Sequence, residues 1–217
     1  MGNTEVKGLQ TDIAAYWSRW ARLWDPMLKL ISLDRRYRKE GISALGLKKG
    51  MTVLDIACGT GLNFPYLFEA IGDKGRIIAV DVAPGMLERA RERVLKNHWS
   101  NFEFIQGDVC QIQLPEADAA VAFWCMVSIP NYRTALENII SSLRPGGKLG
   151  VLDFKTMDSL PGPVVNPIFR QICRLTHQDV DRQPWRDMPR LLTNVEMREW
   201  KYGGILASVY LAWGAKP

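Results

Sequence analysis

The apolar positions of the chain change their period repeatedly between residues 52 and 154. Five short runs are apolar or rich in β-branched residues, as strands are: TVLDIA (52–57), RIIAVD (76–81), FEFIQ (102–106), ADAAVAFW (117–124) and KLGVLDF (148–154). Segments with apolar positions at helical spacing lie between several of these runs: 62–71, 83–97 and 132–143. The pattern predicts alternating strands and helices over this part of the chain.

This alternation decides the predicted fold class. The run ADAAVAFW is apolar almost throughout, which is typical of a strand buried on both faces of a parallel sheet. Strand–helix–strand units of this length form right-handed crossovers. We therefore expect an α/β fold with an open, doubly wound and mostly parallel sheet.

The C-terminal part of the chain follows another pattern. A proline-rich break at 161–167 and a polar helical stretch precede two further strand-like runs, EMREWKY (196–202) and ASVYLAWG (207–214). Gly203 and Gly204 lie between these runs, so they are predicted to form a hairpin. An antiparallel hairpin would complete a seven-stranded sheet.

Composition limits the class of protein and its location. With 47% hydrophobic and 24% charged residues in 217, the chain is typical of a globular protein. It has neither an uncharged apolar run of the ~20 residues needed to span a bilayer nor the layout of a signal peptide at its start. We expect a cytoplasmic protein. The four cysteines are widely spaced and there are two histidines, so we expect no metal site.

The charge excess is confined to the N-terminal segment. Residues 1–50 carry ten Lys or Arg against five Asp or Glu, whereas residues 51–217 carry eighteen of each. Within this segment YWSRWARLWDPM (16–27) combines aromatic residues at helical spacing with arginines, and Asp25 before Pro26 predicts a bend between two helices. Such helices suit either an anionic membrane surface or a lid over a cofactor. We therefore separate residues 1–48 from a domain at 49–217.

The turn after the first strand has the composition of a nucleoside-binding loop. Gly59 and Gly61 let the backbone approach a ligand at the start of a helix, although they could also be turn glycines. Asp81 ends the second strand, where a carboxylate accepts hydrogen bonds from both ribose hydroxyls. These positions predict a cofactor that contains a ribose.

Two further positions argue against a dinucleotide. Phe64 stands where the dinucleotide fingerprint requires a third glycine. Asp55, just before the glycines, would repel a phosphate but could hold an ammonium group. S-adenosylmethionine has a ribose and an amino-acid tail without a phosphate, and is therefore the expected cofactor.

Four motifs in order resemble the class I S-adenosylmethionine-dependent methyltransferases over about residues 50–155. They are DIACGTG (55–61), with Ala57 in place of the first glycine, IIAVD (77–81), GDV (107–109) and LRPGGKLGVLDF (143–154). The resemblance implies a Rossmann-like methyltransferase fold. It also implies a set of cofactor-binding residues: Asp55, Ala57, Gly59, Thr60, Gly61, Asn63, Asp81, Val82, Met86, Gly107, Asp108, Val109 and Phe123.

Three of the residues in and beside these motifs have alternative interpretations. Asp108, which the resemblance assigns to the adenine amino group, could cap a following helix, and the two roles are compatible. Phe123 and Trp124 end the fourth strand and could be core residues or line a pocket.

Outside the cofactor loop the chain is similar to lipid head-group N-methyltransferases of the phosphatidylethanolamine and diacylglyceryl-homoserine type. The similar segments are YWSRWARLWD (16–25), CGTGLNFPYL (58–67), MVSIPNYRTAL (126–136) and LGVLDF followed by a basic insert (170–190). The segment 32–55 also resembles quinone-ring C-methyltransferases. We expect N-methylation of a lipid amine, with quinone C-methylation as the alternative and binding of S-adenosylmethionine without catalysis as a third.

The same resemblance implies one acceptor-binding residue, and the others are candidates by their chemistry and position. Tyr16 is expected to close over the methionine and the acceptor, as the catalytic candidate. The substrate candidates are Tyr16, Trp20, Trp124, Arg174, His177 and Tyr202. In the insert, Arg170 and Arg182 could join Arg174 and His177 on a phosphate or carboxylate, or could be solvated surface charges.

The expected partner is an anionic membrane surface that carries the lipid substrate, so we expect peripheral membrane association. We expect no nucleic acid, because the basic excess is modest and FWCMVSIPN (123–131) lacks the motif of amino-methylating nucleic-acid enzymes. The sequence does not indicate the oligomeric state.

Overall fold

Seven strands and their flanking helices are described by a computed structural model, which covers residues 11–23, 34–158, 161–202 and 207–217. Two short 3₁₀ helices, Met126–Ser128 and Met188–Arg190, complete the set. In chain order the elements are α1 (11–23), α2 (Asp34–Leu45), β1 (Thr52–Ile56), α3 (Phe64–Ile71), β2 (Arg76–Asp81), α4 (Pro84–Lys96), β3 (Phe102–Gln106), β4 (Ala117–Phe123), α5 (Tyr132–Ser142), β5 (Leu143–Lys155), α6 (Gly162–Leu175), α7 (Pro184–Asp187), β6 (Thr193–Tyr202) and β7 (Ala207–Ala215).

The strand order is β3-β2-β1-β4-β5-β7-β6. Strands β1 to β5 are parallel, and β7 lies antiparallel between β5 and β6. Because the chain leaves β1 towards β2 and later returns to β4 on the other side, a crevice opens at the carboxyl ends of β1 and β4. The predicted doubly wound α/β sheet with a C-terminal antiparallel hairpin is confirmed.

Successive residues of β1 show how both faces of the sheet are covered. Val53 belongs to the apolar cluster that includes α2 and α3, whereas Leu54 belongs to the cluster that includes α5. Both side chains are fully buried. Burying an aliphatic side chain of this size stabilises the fold by about 1.5–3 kcal/mol. The central strands therefore consist mainly of consecutive apolar residues instead of alternating with polar residues.

Helix α2 belongs to this core although it lies within the segment separated from the domain at residue 48. Its residues Tyr37, Ile42 and Leu45 are buried in one cluster with Val121 and Leu211 of the sheet. The boundary itself stays a prediction. The packing shows that α2 helps to form the sheet domain.

The start of β5 differs from its prediction at Lys148. In the structure, β5 begins at Leu143, directly after α5, because Leu143 already pairs with Ala117. The register then shifts, so that Lys148 lies opposite Ala119. The intervening residues 144–147 form a bulge, in which Gly146 adopts a left-handed φ of 76° that a glycine tolerates.

None of the helices within the described ranges combines the length and apolar character needed to cross a membrane. The bend predicted at Asp25 and Pro26 lies outside the described residues, as does Trp24.

Candidate functional site

The loop between β1 and α3 has a left-handed backbone at alternate positions. The φ angles are 47° at Ala57, 56° at Gly59 and 79° at Gly61. A Cβ on Gly61 would lie 2.4 Å from a ring carbon of Phe64, so this glycine allows α3 to pack closely against the loop. A Cβ on Gly59 would meet no atom within 4 Å, and Gly59 lines a cavity. The two glycines therefore serve packing and ligand access separately.

Asp81 connects this loop to the start of α4. Its Oδ2 accepts a hydrogen bond from the Gly59 N–H at 2.8 Å, and its Oδ1 accepts one from the Ala83 N–H at 2.8 Å. Burial raises the pKa of Asp81 to about 6, against the opposing effect of the backbone N–H donors. The carboxylate lines the cavity at the end of β2.

A buried polar chain lies behind the loop. Arg38 Nη1 donates to Asn63 Oδ1 at 2.5 Å, and Asn63 Nδ2 donates to Asp55 Oδ1 at 2.8 Å. All three side chains are buried, and Arg38 also lines the cavity. Arg38 is not among the residues predicted from the sequence. Arg38 lies four residues before the buried Ile42, so it is a cation on the apolar face of α2. This position in the sequence could have indicated that Arg38 is buried and has a functional role.

Most of the residues predicted to bind the cofactor meet at one cavity above the carboxyl ends of the strands. Those that line it are Ala57, Gly59, Thr60, Asp81, Val82, Met86, Gly107, Asp108, Val109 and Phe123. Asp55, Gly61 and Asn63 do not line it but support the loop from behind. The lining residues that sequence reasoning missed are Ile13, Trp17, Arg38, Cys58, Leu62, Val80, Cys125, Ser128 and Ile129.

Asp108 both lines the cavity and caps a turn. Its Oδ1 accepts a hydrogen bond from the Cys110 N–H at 2.9 Å, and its Oδ2 accepts one from Gln111 Nε2 at 2.8 Å. The capped segment is a turn, not the helix that the capping interpretation expected.

Helix α1 packs over one side of the cavity. Trp17 and Ala21 contact Ala83 and Met86 at the start of α4, and Trp17 also lines the cavity. The Gly85 N–H donates to Ser18 Oγ at 3.3 Å. The helix therefore occupies the position that the lid interpretation requires.

The opposite end of the cavity is built on a strained residue. Trp124 follows β4 with a φ of 62°, which is unusual for a bulky side chain and typical of functional sites. Its N–H donates to the Leu152 carbonyl at 2.6 Å, and its ring lies 4.7 Å from that of Phe154. The cavity at this end is lined by Phe123, Trp124, Ser128 and Ile129.

Asp153 and Arg182 hold the turn that carries Ser128. Asp153 is buried at the end of β5, and its Oδ2 accepts a hydrogen bond from the Val127 N–H at 3.1 Å. Arg182 donates to the Val127 carbonyl, and the Asp179 N–H donates to the same oxygen at 2.7 Å. Ser128 Oγ is buried and has no hydrogen-bond partner among the described residues.

Of the candidate acceptor residues whose side chains the structure describes, Trp124 lines the cavity, whereas Tyr16, Trp20, Arg174 and His177 do not. Tyr16 and Trp20 lie on α1, and the Tyr16 ring packs against His177 at 5.0 Å, just beyond α6. Burial raises the pKa of Tyr16, so this phenol remains protonated. Arg174 is exposed on α6. For Tyr202 the structure describes the backbone, which pairs with Ala207.

The cavity fits the cofactor that the sequence predicted. Asp81 presents a carboxylate for ribose hydroxyls, and the open space at Gly59 admits a ligand against the backbone. Asp55 Oδ2 is buried without a hydrogen-bond partner in the described part of the chain. An ammonium group of the cofactor, held directly or through a water molecule, would offset the resulting desolvation of this carboxylate.

Cofactor binding is expected to release protons near neutral pH. Burial raises the pKa of Asp55 to about 7, so about half of this carboxyl is protonated at pH 7 without ligand. An adjacent ammonium favours the ionised form, so binding should release up to about half a proton and should strengthen as pH rises from 6 to 8. Calorimetry of S-adenosylmethionine binding in buffers of different ionisation enthalpy measures this release.

The matched control is Asp153, whose pKa burial also raises to about 7 but whose two carboxylate oxygens already accept the Val127 and Phe154 N–H groups. Asp55→Asn should remove the proton release, and Asp153→Asn should retain it. An unchanged release in Asp55→Asn would assign the titration to another group.

Comparisons with known proteins agree with this site. A family model described as a methyltransferase domain matches residues 53–147. A curated relative from Listeria monocytogenes, described as a demethylmenaquinone methyltransferase, is 30% identical over 155 residues, which are 69% of this chain and 65% of that protein. A relative of the same description from Desulfitobacterium hafniense is 30% identical over 147 residues, or 65% of this chain and 58% of that protein. The chain thus spans 65% or less of these relatives' length.

Solved structures agree at the level of the fold. A structure described as an S-adenosylmethionine-dependent methyltransferase from Aquifex aeolicus matches with a TM-score of 0.60 at 22% identity, covering 89% of this chain and 98% of that chain. Phosphoethanolamine N-methyltransferase 2 of Haemonchus contortus, in complex with S-adenosyl-L-methionine, matches with a TM-score of 0.68 at 15% identity, covering 83% of this chain and 52% of that chain. Sheet order, cofactor loop and family match lead to one assignment. Residues 53–147 match a methyltransferase domain, and the fold and relatives of the chain fit the class I S-adenosylmethionine-dependent methyltransferases that its sequence motifs predicted.

Proposed function

We propose that the chain transfers a methyl group from S-adenosylmethionine to a ring carbon of a quinol. The observation that carries this proposal is the end of the cavity beside β4. Phe123, Trp124 and Ile129 give it apolar walls, and Trp17 lines the same cavity from α1. Ser128 adds a buried hydroxyl without a hydrogen-bond partner in the described part of the chain. A flat aromatic ring that bears a hydroxyl group matches this combination.

The residues of the chain contribute alignment and exclusion of water. When bound, S-adenosylmethionine supplies a methyl group on a sulfonium, which is transferred by in-line displacement. A new bond forms to the ring carbon as the bond from sulfur to methyl breaks, and the ring proton is lost to solvent afterwards, when the methylated ring leaves the apolar walls. Ser128 is placed to hold a ring hydroxyl, and the apolar walls keep solvent from the reacting atoms.

The curated relatives support the quinol acceptor. Those matched at 30% identity are described as demethylmenaquinone methyltransferases. The segment 32–55, which resembles quinone-ring C-methyltransferases, contributes both α2 with Arg38 and the start of the cofactor loop. The match covers 65% of the length of the first of these relatives. That this chain acts on the same acceptor as the relative is therefore a proposal.

A second candidate is N-methylation of an amine-headed lipid at an anionic membrane surface. The observation that favours it is the aromatic cluster of α1, where the Tyr16 ring lies 5.2 Å from Trp17 and 6.2 Å from Trp20. Aromatic rings attract cationic head groups. In this case Tyr16 would close over the head group, with His177 beside it and Arg174 near the lipid phosphate.

The two candidates are separated by one assay. The purified chain is incubated with S-adenosylmethionine and either a detergent-solubilised demethylated naphthoquinone, with and without chemical reduction to the quinol, or phosphatidylethanolamine vesicles. We expect a ring-methylated product by mass spectrometry from the quinol alone, because only the reduced ring is electron-rich. Methylated phosphatidylethanolamine would support the second candidate. If neither acceptor is methylated, the chain would be a protein that binds the cofactor without catalysing either reaction.

Replacing Ser128 by alanine should lower kcat/KM for the quinol about two- to tenfold, since one hydrogen bond contributes ~0.5–1.5 kcal/mol. Affinity for S-adenosylhomocysteine should be unchanged, because Ser128 lies at the acceptor end of the cavity. The control is Ser141→Ala, which removes an exposed hydroxyl that bonds to the Asn138 carbonyl outside the cavity. Equal kinetics of the two variants would exclude Ser128 from acceptor binding.

A further inference from the structure

Helix α6 turns a defined set of residues towards the core. The Asn166 side chain forms two hydrogen bonds with the backbone of Met157. Its Oδ1 accepts from the Met157 N–H at 3.0 Å, and its Nδ2 donates to the Met157 carbonyl at 2.8 Å. Phe169 lies 5.8 Å from the Phe154 ring, and Cys173 is buried against Val127. These contacts fix which face of the helix is internal.

The opposite face of α6 is aliphatic and exposed. Val164, Ile168, Ile172 and Leu175 follow one another at helical spacing, and they are 56–72% exposed. They make up half of the eight large hydrophobic residues that are exposed in the described part of the chain, so the exposure is concentrated on one helix. An apolar stripe of this kind marks an interaction surface.

The charged side chains of α6 itself are positive. The sequence of α6 contains arginines but no acidic residue, and Arg174 is exposed at its C-terminal end. Arg170 forms a 2.9 Å ion pair with Asp181, so it is partly neutralised. On α1 the exposed residues Arg19 and Arg22 alternate with exposed Trp20 and Leu23.

Helices α1 and α6 meet next to the cavity. The contact is the 5.0 Å packing of the Tyr16 ring against His177, two residues beyond the end of α6. The neighbouring Trp17 lines the cavity. The aliphatic face of α6 therefore belongs to the same region of the surface as α1, which packs over one side of the cavity.

We propose that the outer face of α6, defined by Val164, Ile168, Ile172 and Leu175, docks on an anionic bilayer. Aliphatic side chains on a convex helix enter the interface between head groups and acyl chains, and flanking arginines bind the anionic head groups. Docking brings α1 and the cavity to the membrane surface, where an apolar acceptor can enter. This inference deepens the proposed function and rests on it for the location of the acceptor.

The test is flotation of the full chain with vesicles of phosphatidylcholine alone or mixed with phosphatidylglycerol in equal parts. The wild-type chain should float with the mixed vesicles. The double variant Ile168→Glu with Ile172→Glu should lower its partition coefficient at least about tenfold, because two buried aliphatic groups are lost. Both positions are exposed and glutamate favours helix, so the fold should be retained. Arg174→Gln should weaken binding severalfold to the anionic vesicles alone.

The control places the same change on another exposed aliphatic residue. Leu95 on α4 is 74% exposed, and Leu95→Glu should leave vesicle binding unchanged. The proposal would be overturned if the double variant binds the vesicles as strongly as the wild-type chain does. It would also be overturned if the wild-type chain binds neither kind of vesicle. A change in sedimentation coefficient without a change in vesicle binding would overturn it as well, since the face would then join two copies of the chain.

The inference can fail separately from the proposed function. Affinity for S-adenosylhomocysteine and methylation of a detergent-solubilised quinol do not require a bilayer, so both should be the same in the double variant and in the wild-type chain. Loss of vesicle binding with retained turnover supports the docking surface. Wild-type vesicle binding without turnover would instead contradict the acceptor assignment.

Discussion

Asp81→Ala is expected to weaken S-adenosylhomocysteine binding by roughly a thousandfold. The carboxylate is placed to accept hydrogen bonds from two ribose hydroxyls, and bonds to a charged group contribute about 1.5–3 kcal/mol each. It also holds the Gly59 and Ala83 N–H groups at 2.8 Å, so its removal releases the cofactor loop. Isothermal calorimetry at pH 8 measures the effect, since the carboxyl, with a pKa of about 6, is then ionised in the wild-type chain.

Thermal unfolding separates loss of binding from loss of fold in this variant. Removing Asp81 relieves the burial penalty on its charged form but leaves the Gly59 and Ala83 N–H groups without their acceptor, and because these effects oppose each other the melting temperature of the unliganded chain should change little. Binding within about tenfold of the wild-type value would show that the ribose is held elsewhere. The pH profile gives a second check, because wild-type affinity should fall as pH drops below about 6.

The second large effect distinguishes the two glycines of the loop. Gly61→Ala should destabilise the fold by several kcal/mol, because its Cβ would lie 2.4 Å from the buried Phe64 ring and φ is 79°. Gly59→Ala has no neighbouring atom to displace, so we expect about 1–2 kcal/mol of backbone strain. Its methyl group would project into the cavity and should lower cofactor affinity at least about a hundredfold.

Chemical denaturation and calorimetry on both variants test this division. The expected pattern is a Gly61→Ala chain that unfolds at much lower denaturant concentration, and a Gly59→Ala chain that remains folded but binds cofactor poorly. If Gly59→Ala binds S-adenosylhomocysteine as the wild-type chain does, the cofactor does not approach the backbone at this position.

The sheet and the cofactor loop were predictable because their determinants are local. A buried parallel strand needs consecutive apolar residues, as ADAAVAFW shows, and a loop with left-handed positions favours glycine at Gly59 and Gly61. The role of Asp81 could be predicted because it is the last residue of a strand. Each of these positions can be recognised without knowing which distant residue it contacts.

The acceptor side depended on contacts between residues distant in sequence. From the sequence, Arg182 and Arg170 could have bound a phosphate or carboxylate or been solvated surface charges; in the structure Arg182 donates to the Val127 carbonyl, and Arg170 pairs with Asp181. Arg38 joins Asn63 across 25 positions of the chain. A charged residue in a sequence does not indicate its partner, so these roles required the structure.

The backbone at Ala57 has a consequence for how this chain can change over evolutionary time. An alanine held at a φ of 47° destabilises the loop by about 1 kcal/mol relative to glycine. Alanine and glycine codons differ at a single base, so one point mutation would remove the strain. The loop therefore holds a reserve of stability beside the cofactor, which could offset destabilising mutations that adapt the acceptor end of the cavity to a new substrate.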